Sequence, residues 1–259
     1  SEIKLVAVAN GYEGWTGGST SGTKAFSVLI DSSGKVTVTQ YAALEHGVDG
    51  SSASDHDDSV SLAAAAAIKV VQTVTDRDGD STTATSANGL DIAFKDDGPS
   101  ASAKAAVSAG ATLDETGGFD AVDISSSAIS GLFNAPVYGT DGAGSVQYSL
   151  SATAGARTGL WLAGQSGSAS EIKLVAVANG YEGWTGGSTS GTKAFSVLID
   201  SSGKVTVTQY AALEHGVDGS SASDHDDSVS LAAAAAIKVV QTVTDRDGDS
   251  TTATSANGL

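Results

Sequence analysis

Residues 1–90 return unchanged as residues 170–259, from SEIKLVAVANGYEGWTGG through to TVTDRDGDSTTATSANGL, with a period of 169. Verbatim tandem copies mark an array in which every unit repeats one task. Such repetition suits a spacer, whereas a catalyst has little use for an identical second fold. The 259 residues leave room for one large domain or two ordinary ones. The expected joint is KDDGPSA, residues 95–101, where charge, Gly and Pro follow a strand. On that reading residues 1–97 are the C-terminal portion of one repeat. Residues 98–259 are then a nearly complete second repeat lacking only an equivalent of LDIAFKDD, and the chain reads as a piece of a longer array. The alternative is a permuted pairing, in which residues 98–169 complete the first copy; the native order is preferred. Whether one period forms a single elaborated domain or two small ones stays open.

Charge narrows the function classes. Thirty acidic residues against 13 Lys and Arg give a formal charge of -17. Nucleic acid and anionic membrane both need clustered cations, so neither is an expected partner. No apolar run approaches the roughly 20 residues of a membrane span. There is no Cys, so rigidity has to come from a source other than disulfides, and bound metal is one.

The periodicity is that of strands. Small and β-branched residues dominate, with 32 Gly, 2 Pro and 5% aromatics, a composition suited to thin β-sandwiches. Strands are predicted at 3–8, 24–30, 35–41, 59–63, 68–75, 81–87 and 90–94. KVTVTQY sets Val36 and Val38 on one face, with Thr37 and Thr39 on the other. DSSG (31–34) and RDGD (77–80) read as hairpin turns. Further strands are predicted at 103–108, 123–129, 145–152 and 158–163. LAAAAAI (62–68) is too short for an isolated helix and reads as a turn entering a strand. The expected fold class is all-β, as tandem β-sandwich modules.

The acidic residues gather at turns and at the joint. DRDGD places Asp76, Asp78 and Asp80 at alternate positions around a tight turn, copied at Asp245, Asp247 and Asp249. Calcium takes six to eight oxygens at roughly 2.3–2.6 Å, and three converging carboxylates supply about half of them. The glycine sits one place too early for an EF-hand and Ala87 stands where the closing Glu would be. The same residues also suit an Asp-Gly hairpin whose side chains cap backbone amides. Asp96 and Asp97 sit side by side at the joint, either neutralised by a cation or solvated in a linker. Asp114 and Glu115 in LDET are secondary candidates, and DHDD (55–58) is either a further ligand source or a hydrated loop. If 81–94 were one extended strand it would span roughly 45 Å. Asp76 and Asp97 would then lie at opposite ends of a module, with Asp96 and Asp97 facing Asp245–Asp249; a hairpin at Asn88–Gly89 would defeat that estimate.

Taken in order, VTDRDGDSTTAT, IAFKDDGPSA, TLDET, YGTDGAGSVQYSL and KVTVTQ resemble the extender repeats of large repeats-in-toxin adhesins, type I-secreted surface proteins of Gram-negative bacteria. The resemblance covers essentially the whole 169-residue period. It implies immunoglobulin-like or cadherin-like sandwiches in tandem, a monomeric stalk on the bacterial surface, and calcium at or near the joints. Neighbouring repeats of the same chain would be the partners, without a small-molecule substrate. By that resemblance Asp76, Asp78, Asp80, Asp96 and Asp97 are ligands, with Asp114 and Glu115 as candidates. An enzyme is not expected, because His46 and His56 fall in no catalytic or zinc-site spacing and read as surface-loop residues. A rival reading gives Tyr12, Glu13 and Trp15, repeated at Tyr181, Glu182 and Trp184, a sugar-gripping role. The blander reading has them plug the end of a sandwich.

Overall fold

The computed structural model describes residues 2–47, 49–52, 56–216, 221 and 227–259. The fold is all-β, built from antiparallel sheets. It divides into two compact units. Unit 1 comprises residues 1–98 with two short segments, Tyr138–Ala143 and Asp245–Asp249. Unit 2 holds Pro99–Val137, Gly144–Thr244 and Ser250–Leu259.

In unit 1, strands β1 (Ile3–Val8), β2 (Gly11–Thr16), β3 (Lys24–Ile30) and β4 (Val36–Gln40) form a meander in sequence order. β2 is the strand that periodicity missed, because two Gly and a Trp break the alternation. Gly14 is required there, since an added Cβ would come within 2.4 Å of the Phe26 ring. DSSG closes the β3–β4 hairpin, with Asp31 Oδ1 accepting from Ser33 N at 2.8 Å and Lys35 N at 3.0 Å. β5 (Ser59–Ser61) pairs with β8 (Ala93–Lys95), and β6 (Val71–Thr75) with β7 (Ser81–Thr85) across RDGD. The alanine run is a single 3-10 turn at Ala64–Ala66. The segment 81–94 is not one extended strand: β7 stops at Thr85 and β8 starts at Ala93. The core gathers Phe26, Val28, Leu44, Ile68, Ile92 and Phe94, with the two Phe rings 5.0 Å apart.

Unit 2 repeats the meander as β11 (Ile172–Val177), β12 (Gly180–Thr185), β13 (Lys193–Ile199) and β14 (Val205–Gln209). β9 (Ala121–Ile124) extends this sheet at its β14 edge. A second sheet has the order β10 (Ala143–Ser151), β15 (Lys238–Asp245), β16 (Ser250–Thr254). Ile172, Leu174, Val197, Val205 and Val239 form one apolar core between the two sheets. The expected strand at 123–129 is β9 followed by helix α1 (Ser126–Ser130), because Ser125 caps the amide of Ala128 and turns the chain. The strands expected at 103–108 and 158–163 are reduced to isolated bridges at Ala103 and Leu162, with a further bridge at Arg157 just before the second.

Candidate metal centre

The strongest concentration of acidic groups lies within unit 1. β8 ends in the joint, which delivers Asp96 and Asp97. The segment Tyr138–Ala143 adds Asp141, and the β15–β16 turn adds Asp245, Asp247 and Asp249. Candidate ligand atoms of Asp96, Asp97 and Asp141 lie within 4.8 Å of one another, as do those of Asp141, Asp245 and Asp247. A third group at the same limit joins Asp96 to His46 and Asp58. Asp96 and Asp141 therefore link the three groups.

Local hydrogen bonds position this cluster. Asp96 Oδ1 accepts from Asp97 N at 2.9 Å, the geometry of a tight acidic turn before Gly98-Pro99. Asp97 accepts from Thr140 N at 2.9 Å and from Thr140 Oγ1 at 3.1 Å, fixing the segment that carries Asp141. Gly139 is required beside it: its φ is +68°, and a Cβ would come within 2.4 Å of the Asp97 carbonyl oxygen. Asp249 Oδ1 accepts from Gly50 N at 2.8 Å, and Asp245 Oδ1 from Gly248 N at 3.2 Å.

Those bonds leave several oxygens without a donor. Asp245 and Asp249 are 3% and 2% exposed. Asp245 Oδ2, Asp247 Oδ1, Asp249 Oδ2 and Asp58 Oδ1 are buried with no hydrogen-bond partner among the described residues. Burying an unpaired carboxylate oxygen is costly, and a set of them facing one another costs more. Burial, then the neighbouring Asp247, push the Asp245 carboxyl up to about 7. Burial, then the Asp249 side chain, push Asp96 up to about 6. Burial also raises Asp141, helped by the charges of Asp247 and Asp97. The donor set is almost entirely carboxylate oxygen, the chemistry of a hard divalent cation such as calcium. A cleft of about 560 Å³ borders the cluster on one side, lined in part by Tyr41, His46, Lys95, Asp96 and Asp141.

The identical DRDGD of the first copy behaves differently. Asp76, Asp78 and Asp80 also converge within 4.8 Å, but all three are exposed. There Asp76 Oδ1 accepts from Gly79 N at 3.1 Å and Asp80 N at 2.9 Å. The adjoining Asp78 side chain, then these amides, hold its carboxyl below the usual range. In this copy the loop is an amide-capped Asp-Gly turn.

Asp114 and Glu115 belong to unit 2 and have other partners. Asp114 Oδ1 accepts from Thr116 N at 2.8 Å. Glu115 accepts from Gln209 Nε2, and from Leu213 N at 3.0 Å. His46 is not a surface residue: it is 6% exposed, with Nδ1 3.3 Å from Asp96 Oδ1 but outside hydrogen-bond geometry. Its Leu44-x-His spacing, which turns both side chains inward, was the sequence signal for that burial. Asp141 was missed because a lone Asp in YGTDGAGS reads as a turn residue. Of DHDD, Asp55 lies outside the described residues, Asp57 pairs with Lys95 at 3.1 Å, and Asp58 joins the cluster. Glu13 is engaged by Trp15 Nε1 at 2.9 Å and Lys24 Nζ at 3.1 Å along one face of β2, and Glu182 likewise by Trp184 and Lys193. These Glu, Trp and Lys side chains form a satisfied ladder on a sheet face, and Tyr181 packs against the unit 2 core.

The family model described as "Domain of unknown function (DUF5801)" matches residues 1–89 and 110–256. The chain belongs to this family. Both DRDGD loops and Asp141 fall inside the matched DUF5801 residues, whereas Asp96 and Asp97 fall between the two matched stretches. No curated protein matches the chain.

Proposed function

We propose that this chain is a calcium-stabilised structural extender, a stalk module of a large bacterial surface adhesin of the repeats-in-toxin kind. It would be secreted to the cell surface and project distal ligand-binding domains for attachment and biofilm formation. The observation that carries this reading is the set of buried carboxylate oxygens without donors on Asp245, Asp247 and Asp249, where Asp245 and Asp247 meet Asp141, Asp141 meets Asp96 and Asp97, and the Asp249 side chain meets Asp96. Asp96, Asp141, Asp245, Asp247 and Asp249 would hold the ion, and Asp97 would position Asp141 through Thr140. Bound calcium supplies the positive charge that lets these carboxylates ionise together. Extracellular sites commonly bind calcium with dissociation constants of about 10⁻⁴–10⁻³ M, so such a site fills outside the cell and empties in the cytosol. Binding to the folded state alone stabilises it, which couples export of an unfolded chain to folding outside.

Verbatim repetition supports a spacer over direct ligand contact, and so does the engagement of Glu13 and Glu182 by their own Trp and Lys neighbours. Small-angle scattering of the chain in calcium and after chelation tests the proposal. A shorter or broader distance distribution and a lower melting temperature on chelation are expected. Unchanged values in both would refute the stalk mechanism, and binding of the chain to a glycan array would favour the adhesive reading.

A further inference from the structure

The repeat supplies its own control, one sequence in two surroundings. In unit 2 the copy at 170–259 is covered by residues 99–169. β9 adds to the edge of β14, placing Val122 opposite Val207 and Ile124 opposite Val205. Gln209 N donates to Asp120 O at 3.0 Å. β10 lies beside β15, where Gln241 Nε2 meets the Tyr148 hydroxyl at 3.3 Å. The Tyr181 hydroxyl accepts from Ala152 N at 2.8 Å and donates to Ala152 O at 2.9 Å. Under this cover Val205 and Val243 are fully buried.

In unit 1 no strand among the described residues adds to the equivalent β4 edge. β4 ends its sheet, and β6 has β7 as its one partner among the described residues. Tyr12, Val38 and Val74, whose copies Tyr181, Val207 and Val243 turn toward the covered core in unit 2, are 38%, 44% and 54% exposed. An unpaired strand edge flanked by exposed valines is a template for another strand.

We propose that the β4 edge of unit 1 and its exposed valine face are a docking site for a further polypeptide of the 99–169 type. It would bind by strand addition, as β9 and β10 bind the second copy. Complementarity already realised in the molecule identifies the occupant. Val36, Val38, Gln72 and Val74 are the same residues as Val205, Val207, Gln241 and Val243, so a chain that fits the second set fits the first. A repeat of this kind is completed by backbone pairing with its 99–169-type portion, which goes beyond the calcium reading and is independent of it.

The test adds a separate polypeptide of residues 99–169 to the full chain in calcium-containing buffer and follows amide hydrogen exchange. Antiparallel strands present alternate residues to each side. Tyr41 N donates to Ala25 O on β3, so Thr37 and Thr39 face β3 while Val36, Val38 and Gln40 face outward. We expect the three outward amides to slow by at least about tenfold, the change one net hydrogen bond supports, with Thr37 and Thr39 unchanged. Val122→Pro in the added polypeptide removes a pairing donor and should abolish the effect. Val38→Pro in the full chain removes only an outward N–H, so it should block docking while leaving exchange in β14 as before. Absence of protection at saturating polypeptide would overturn the proposal. So would equal protection by the Val122→Pro form, or β4 amides already protected by self-association seen in sedimentation. Calcium titration reads the acidic cluster and this experiment reads β4, so either can fail alone.

Discussion

Asp245 and Asp76 are the same residue of the same repeat, yet their surroundings push their carboxyls in opposite directions. Exposed Asp76 sits beside Asp78 and accepts backbone amides, so its charged form is favoured. Buried Asp245 faces Asp247 and Asp249, so its neutral form is favoured. A carboxyl raised in the folded state binds protons that the unfolded chain has released, so its stabilising effect fades as pH rises through the folded value. Asp96, raised to about 6, and Asp245, raised to about 7, therefore predict that the calcium-free protein loses stability between about pH 4 and pH 7. The groups facing them are His46, Asp97, Asp141, Asp247 and Asp249. Thermal unfolding in chelator across that range checks this, and rising stability with pH would contradict it. Calcium binding near pH 6 should also release protons. Asp249→Asn should weaken calcium binding by at least the roughly 10–100-fold that loss of an outer-shell partner costs. Asp78→Asn, in the exposed copy, should leave that tight site unchanged in the same titration.

At the scale of elements, the duplicated sequence separates propensity from context. Ser59–Ser61 is β5 where it meets β8, while the identical residues 228–230 have no assigned strand. Val74 and Val243 belong to the same strand pattern but differ from 54% to 0% exposed. Val243→Ala should therefore destabilise unit 2 by about 2–3 kcal/mol, through lost burial and the cavity left behind. Val74→Ala should stay within about 0.5 kcal/mol of the parent. Denaturant unfolding of both variants checks the asymmetry, and equal effects would show that the two copies share one environment. Gly139→Ala forces a side chain into φ +68° beside the Asp97 carbonyl. It should cost roughly 1–2 kcal/mol in backbone strain alone and weaken calcium binding by displacing Asp141, as read by titration.

For the whole molecule, alternation in IKLVAV, KAFSVLI and KVTVTQ made the sheets legible, and Asp-Gly turns made two hairpins legible. β2 was hidden because GYEGWT owes its strand to pairing with neighbours on both sides. The segments at 103–108 and 158–163 have strand composition yet make only isolated bridges. The acidic candidates were legible as types, but which of them converge was not. Asp141 and Asp58 lie far in sequence from Asp96 and Asp245, and single-chain spacing carries no signal for such a meeting. The decisive measurement is calorimetric titration of calcium into the chain, into the Asp245→Asn/Asp249→Asn variant and into the Asp76→Asn/Asp78→Asn variant. The account predicts a tight class of binding that the first variant loses and the second keeps. No tight binding in the parent, or tight binding that survives in the Asp245→Asn/Asp249→Asn variant, would contradict it.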